Sequence, residues 1–155
     1  GERLVSRPAD PTDNATPSGL TSVATALLSY AALTGSTRHR EAAGSALATV
    51  GTLATRHPRF TGWACAAGEA MVAGPLEIAI ARPRDAKWTR DPLVRTAWRS
   101  DSPGAVVVVG EPGRDGVPLL ADRTMLDGQP TAYVCRGFTC DLPVVGAADL
   151  ERQLA

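Results

Sequence analysis

The chain has 155 residues, 16 Lys+Arg against 16 Asp+Glu and 44% hydrophobic residues, one domain's worth of foldable sequence at formal net charge zero. That balance gives no long-range field to draw in nucleic acid or an anionic membrane, and the apolar content is too high for a disordered chain. No apolar run approaches the roughly 20 residues of a bilayer span, and Gly1-Glu2-Arg3-Leu4-Val5-Ser6-Arg7-Pro8 lacks the apolar stretch of a signal peptide. The expectation is a soluble, cytoplasmic protein, with neither nucleic acid nor membrane as partner.

Pro8, Pro11 and Pro17 fix φ and remove donors, so the first seventeen residues read as an extended lead-in. Ser18 then stands where an N-cap belongs. Val23, Ala24, Leu27, Leu28 and Ala31 recur at helical spacing and Gly35 supplies a stop, which predicts a helix over 19–34. Ser36 or Thr37 caps a second helix whose stripe of Ala43, Leu47, Val50 and Ala54 runs to His57-Pro58, making an antiparallel helical hairpin. A third helix follows Thr61, with Trp63, Ala67, Ala70 and Met71 on one side and Gly74-Pro75 as its stop.

The period then changes. Leu76, Ile78 and Ile80 alternate with Glu77, Ala79 and Ala81 as in a strand, and Ala105 to Val109 is an apolar run typical of a strand buried on both faces. Between them Asp91 and Pro92 fit N-cap and N1 of a helix, so strand, helix and strand read as a right-handed parallel crossover. Thr131 to Cys135 reads as a third strand and Ala147 to Leu154 as a closing helix. The fold class is α+β, with helices over 1–74 and a small α/β subdomain with a parallel βαβ core over 75–155.

The glycines of Gly110-Glu111-Pro112-Gly113-Arg114-Asp115-Gly116 follow a strand, but no helix follows them to cradle a phosphate, so the segment reads as a surface turn. Cys135 and Cys140 form a C-x4-C pair that a turn can close. They read as structural thiols, with a disulfide or redox couple and half a metal site as alternatives. Cys65, His39, His57 and the carboxylates show no spacing that completes a zinc set, and neither metal nor cofactor is expected. Asp10, Asp13 and Asn14 before the first helix fit turn and cap chemistry, and on a functional reading Asp13, Asn14 and Ser18 line a cleft for sugar binding or acid/base catalysis. Glu69 and Glu77 lie among apolar residues, and each is expected to face solvent or pair with an arginine.

Asp13-Asn14-Ala15-Thr16-Pro17-Ser18-Gly19, then Pro75-Leu76-Glu77-Ile78-Ala79-Ile80, then Asp127-Gly128-Gln129-Pro130 and the segment Ala132-Tyr133-Val134-Cys135-Arg136-Gly137-Phe138-Thr139-Cys140-Asp141-Leu142-Pro143-Val144 follow one another in this order. Together they resemble the C-terminal part of the spermatogenesis-associated protein 20 family, the YyaL-type thioredoxin-domain proteins. Leu20-Thr21 stand where the family pattern usually continues with Asn-Ser. The resemblance implies a thioredoxin-like domain followed by an α/α toroid similar to six-hairpin glycosidases and N-acylglucosamine 2-epimerases, with this chain as its last part. Upstream toroid helices and the thioredoxin-like domain are then its partners, with a second copy of the chain or a carbohydrate as further candidates. Three functions stand side by side: a share in a carbohydrate-binding, epimerase- or glycosidase-like site, thiol–disulfide exchange through Cys135 and Cys140, or a non-catalytic scaffold. On the first two readings the isolated segment is inactive and the activity belongs to the full-length protein.

Overall fold

The computed structural model describes residues 10–84, 87–114 and 116–155; the first nine of the seventeen residues expected as an extended lead-in, and Asp115 of the glycine-rich turn, lie outside them. Helix α1 (Gly19–Thr34) begins where Ser18, in extended backbone, accepts a hydrogen bond from Thr21 N through its hydroxyl. It ends at Gly35, whose left-handed φ of 72° lets its N–H reach Ala31 O. The second helix differs from expectation. It is interrupted at Thr49-Val50, giving α2 (Thr37–Ala48) and α3 (Gly51–Arg56), because Thr49 N and Val50 N turn to the carbonyls three residues back, Ala46 and Leu47. Val50 is nonetheless buried, as its place on the apolar stripe predicted.

Helix α4 (Gly62–Ala73) buries Ala64, Ala67 and Ala70 against α1 and α2, while Trp63, expected on the inner side, is 52% exposed. Small inward residues let helices approach closely, and an indole does not fit there. The last carbonyls of α4 are met by two arginines from elsewhere: Arg40 Nη2 donates to Met71 O at 2.7 Å and Arg136 Nη1 to Gly74 O at 2.8 Å.

Strand β1 (Glu77–Ala81) pairs in parallel with β2 (Val106–Gly110) through α5 (Pro92–Ala97), whose N-cap Asp91 accepts from Leu93 N and whose Pro92 occupies the first turn. The βαβ crossover therefore stands. The third strand, β3 (Thr131–Arg136), runs antiparallel to β1, and a two-residue strand β4 (Thr139–Cys140) folds back on it, so the sheet is mixed with order β2-β1-β3-β4. β2 lies at the edge rather than buried on both faces, and most of its residues are only half-buried. The central strand β1 is the fully buried one.

Strand alternation divides the core between the two faces of this sheet. Ile78, Ile80, Ala132 and Val134 pack against Leu93, Val94 and Ala97 of α5 and Leu150 of α6 (Ala147–Leu154). Ala79, Ala81, Tyr133 and Cys135 pack on the other side against Ala32 of α1 and against Leu119 and Leu120, which form a buried 3-10 turn. Helices cover both faces, and the helical part seats directly on the sheet. A third cluster of Leu28, Ala43, Ala67 and Ala70 joins the helices to one another. At the end of β2 a Cβ on Gly110 would lie 2.7 Å from Leu120 Cδ1, whereas Gly113 and Gly116 beyond it have left-handed φ of 64° and 81° and open space around them, as in a surface turn. Among the described residues no helix is long and apolar enough to cross a membrane.

Candidate functional site

The β3–β4 hairpin carries both candidate thiols. Its two central residues, Gly137 and Phe138, have φ of 57° and 65°, the left-handed pair that a two-residue hairpin turn requires. The flanking residues Arg136 and Thr139 pair, and the next pair outward is Cys135 and Cys140, directly opposed with Cα atoms 3.9 Å apart. The two sulfurs are bonded as a disulfide. The signal in the sequence was the spacing itself: with a two-residue turn at Gly137-Phe138, a C-x4-C pair becomes a cross-strand pair. Cys65, the third cysteine, is free and exposed on α4.

A left-handed phenylalanine is costly without support. Two groups supply it. The Phe138 ring lies against Gly35, where a Cβ would come within 3.4 Å, and the Phe138 N–H donates to Glu77 Oε2 at 2.8 Å. Of the two expectations for Glu77, solvent or an arginine, the first does not hold, and the charges of Arg123 and Arg40 act on its carboxylate without a direct ion pair among the described residues. Glu77 is 3% exposed, on the face of β1 that looks to the helices, and its carboxylate holds the tip of the hairpin. Burial pushes the Glu77 carboxyl above its usual value, only partly offset by the N–H groups of Phe138 and Gly137 and by the charges of Arg123 and Arg40. Sequence reasoning could not find this partner, because sixty-one positions separate the two residues.

Arg123 reaches the same place from the loop before β3. Its guanidinium carbon sits 5.3 Å from the centre of the Tyr133 ring, and its Nη2 lies 3.8 Å from Cys135 Sγ. Tyr133 is itself held by Thr124, donating its hydroxyl to Thr124 O at 2.8 Å and accepting from Thr124 N at 3.1 Å. Cys135 is 1% exposed, whereas Cys140 on the outer strand is half-buried. Next to the hairpin, a cleft of about 470 Å3 separates the helical layer from the sheet, lined by Arg40, Glu77 and Phe138 among others.

The residues singled out before α1 lie elsewhere and serve local structure. Asp13 is 4% exposed: Oδ1 accepts from Ser18 N at 2.8 Å and Oδ2 from Ala64 N at 2.9 Å, so one carboxylate ties together the beginnings of α1 and α4. Burial pushes its carboxyl up, but the N–H groups of Ser18 and Ala64 with the hydroxyls of Thr21 and Ser18 outweigh it and leave it below the usual 3.8. Ser18 is buried as the N-cap. Asn14 alone of the three is exposed. Glu69 and His57 are exposed, while His39 bonds Ser36 Oγ through Nδ1 and packs on Tyr30.

Among the described residues no group of three or more His, Cys, Asp or Glu side chains is placed to hold a metal ion. The chain matches no family model, no curated protein and no solved structure.

Proposed function

We propose that this chain is the closing part of a larger thioredoxin-domain-containing protein similar to the spermatogenesis-associated protein 20 family, and that its own chemistry is thiol–disulfide exchange at Cys135 and Cys140. The observation that carries this reading is the bonded cross-strand pair itself, one sulfur buried beside Arg123 and the other toward the surface. On the expectation of a cytoplasmic protein, where disulfides are mainly transient and catalytic or redox-sensing, a bonded pair favours exchange over a purely structural role.

The exchange follows from the asymmetry. A thiolate of a thioredoxin-like dithiol attacks Cys140 Sγ, the more accessible sulfur. A mixed disulfide forms at Cys140, the bond to Cys135 breaks, and the electron pair leaves on Cys135 Sγ, where the Arg123 guanidinium stabilises the thiolate. The donor's second thiolate then displaces Cys140, which takes a proton from water. The donor ends as a disulfide and this pair as a dithiol. Thiol titration and mass measurement in glutathione buffers test the reading. We expect a two-electron couple, and Arg123→Gln to slow reduction by dithiothreitol several-fold by raising the leaving thiol's pKa, since a lower leaving-group pKa speeds exchange. Thiols that stay reduced in oxidised glutathione, or a reduction rate indifferent to Arg123, count against it.

The toroid partner draws support from the helical layer, where Val23, Tyr30, Trp63 and Val72 are 50% exposed or more and offer an apolar surface to further helices or a second copy. A second reading, a share in a carbohydrate-acting site, draws support from Glu77: a carboxyl raised above its usual value and lining a cleft is the kind of group a glycosidase- or epimerase-like acid requires. Asp13 and Ser18 are engaged as caps, and Asn14 stands at the opposite end of α1 from this cleft, so the loop residues before α1 take no part in it. Sugar binding by the whole protein, lost in Glu77→Gln, tests this; binding that is absent, or unchanged in the variant, counts against it.

A further inference from the structure

A second cleft, of about 400 Å3, opens at the other end of the sheet, at the C-terminal ends of the parallel strands β1 and β2. The alternation that puts Ile78 and Ile80 on the α5 side carries Arg82, one residue past the strand, to the same side. Arg82 is 5% exposed. Its Nη1 forms an ion pair with Asp91 Oδ2 at 3.2 Å, and among the described residues Nε has no hydrogen-bond partner. A guanidinium offers five donors, and one carboxylate does not use them all. Arg84 and Arg114 line the same cleft, both exposed. Two large indoles stand at it as well: Trp88 and Trp98 are 51% and 65% exposed.

We propose that this cleft binds a small phosphate monoester whose ring presents a face for stacking, a mononucleotide or a sugar phosphate. Arginine forks match phosphate oxygens in paired hydrogen bonds, and Arg82, held in place by Asp91, is the pre-set member of the group. Indole faces take bases or the apolar face of a sugar, which explains why two tryptophans stay open to water. The volume falls within the roughly 300–1,000 Å3 of small-molecule sites. The thiol pair takes no part in it.

Calorimetry and tryptophan fluorescence on the full chain test the proposal with four probes: AMP, glucose 6-phosphate, adenosine and inorganic phosphate. We expect saturable binding of AMP or glucose 6-phosphate with Kd below about 1 mM, and at least about tenfold weaker binding of adenosine and of phosphate. Binding of AMP alone assigns a nucleotide, and of glucose 6-phosphate alone a sugar phosphate. Binding of both assigns the monoester class. Arg114→Ala and Trp98→Ala change exposed residues, so their urea midpoints should match the parent while each weakens the bound ester about tenfold. No binding of either ester, phosphate binding as tight as the ester, or an affinity unchanged in both variants overturns it.

Discussion

Asp13 joins two helix starts with one side chain, and its removal has a calculable effect. Asp13→Ala leaves the N–H groups of Ser18 and Ala64 buried without acceptors. A hydrogen bond to a charged group contributes about 1.5–3 kcal/mol, and losing a helix cap costs about 0.5–2 kcal/mol, so the two together predict a loss of about 3 kcal/mol. For a chain of this size that is a fall in Tm of roughly 6–12 °C, or in the urea midpoint of about 1–2 M. Asp13→Asn keeps one acceptor oxygen but turns an NH2 toward the other N–H, so it should recover less than half of the loss. The pH dependence follows from the lowered carboxyl. A carboxyl held below its unfolded value stabilises the fold above that value and loses its contribution as pH falls through the folded one. The gap between parent and Asp13→Ala should therefore be constant from pH 5 to 8 and narrow below the usual 3.8. Urea titrations at several pH values measure both. A loss under about 1 kcal/mol, or a gap that widens in acid, would refute the account of Asp13 as a shared cap.

Glu77 should show the opposite pH sign: with its carboxyl raised in the fold, its contribution is complete below the usual 4.5 and is lost as pH rises through the raised value. Denaturation between pH 4 and 8 should find Glu77→Gln less pH-dependent than the parent, because the amide oxygen still accepts from Phe138 N, and Glu77→Ala destabilised by about 1–3 kcal/mol through the orphaned turn N–H groups. Gly110→Ala should cost about 1–3 kcal/mol, since its new methyl meets Leu120 at 2.7 Å within a buried turn; a thermal melt that matches the parent would show that Leu120 can move aside.

What the sequence made legible was local. The Ser18 cap, the Gly35 stop, Asp91-Pro92 at the start of α5 and the alternation of β1 are each written within a few residues, and each stands in the fold. What it hid depends on residues far away. Periodicity carries no strand direction, so the antiparallel return of β3 and the two-residue β4 were out of reach, as was the edge position of β2. In α4 nearly every residue is small or apolar, so the alanine face and the tryptophan face could not be told apart by pattern, and the inner side fell to the residues that allow close approach.

The site shows the same division in a sharper form. The spacing of Cys135 and Cys140 allowed a closed pair, but its environment comes from three other segments: Arg123 beside the buried sulfur, Glu77 beneath the turn and Gly35 against the turn's phenylalanine. Glu77 is the hinge of that arrangement. Its backbone pairs with Cys135 across the sheet while its carboxylate holds the turn two residues before Cys140, so one residue fixes both ends of the hairpin relative to β1. A protonation change at Glu77 therefore acts on the strand that carries the accessible sulfur. If exchange at Cys140 needs the hairpin to loosen, reduction by dithiothreitol should keep its pH dependence in Glu77→Gln only to the extent set by the attacking thiol, and any additional dependence in the parent belongs to Glu77.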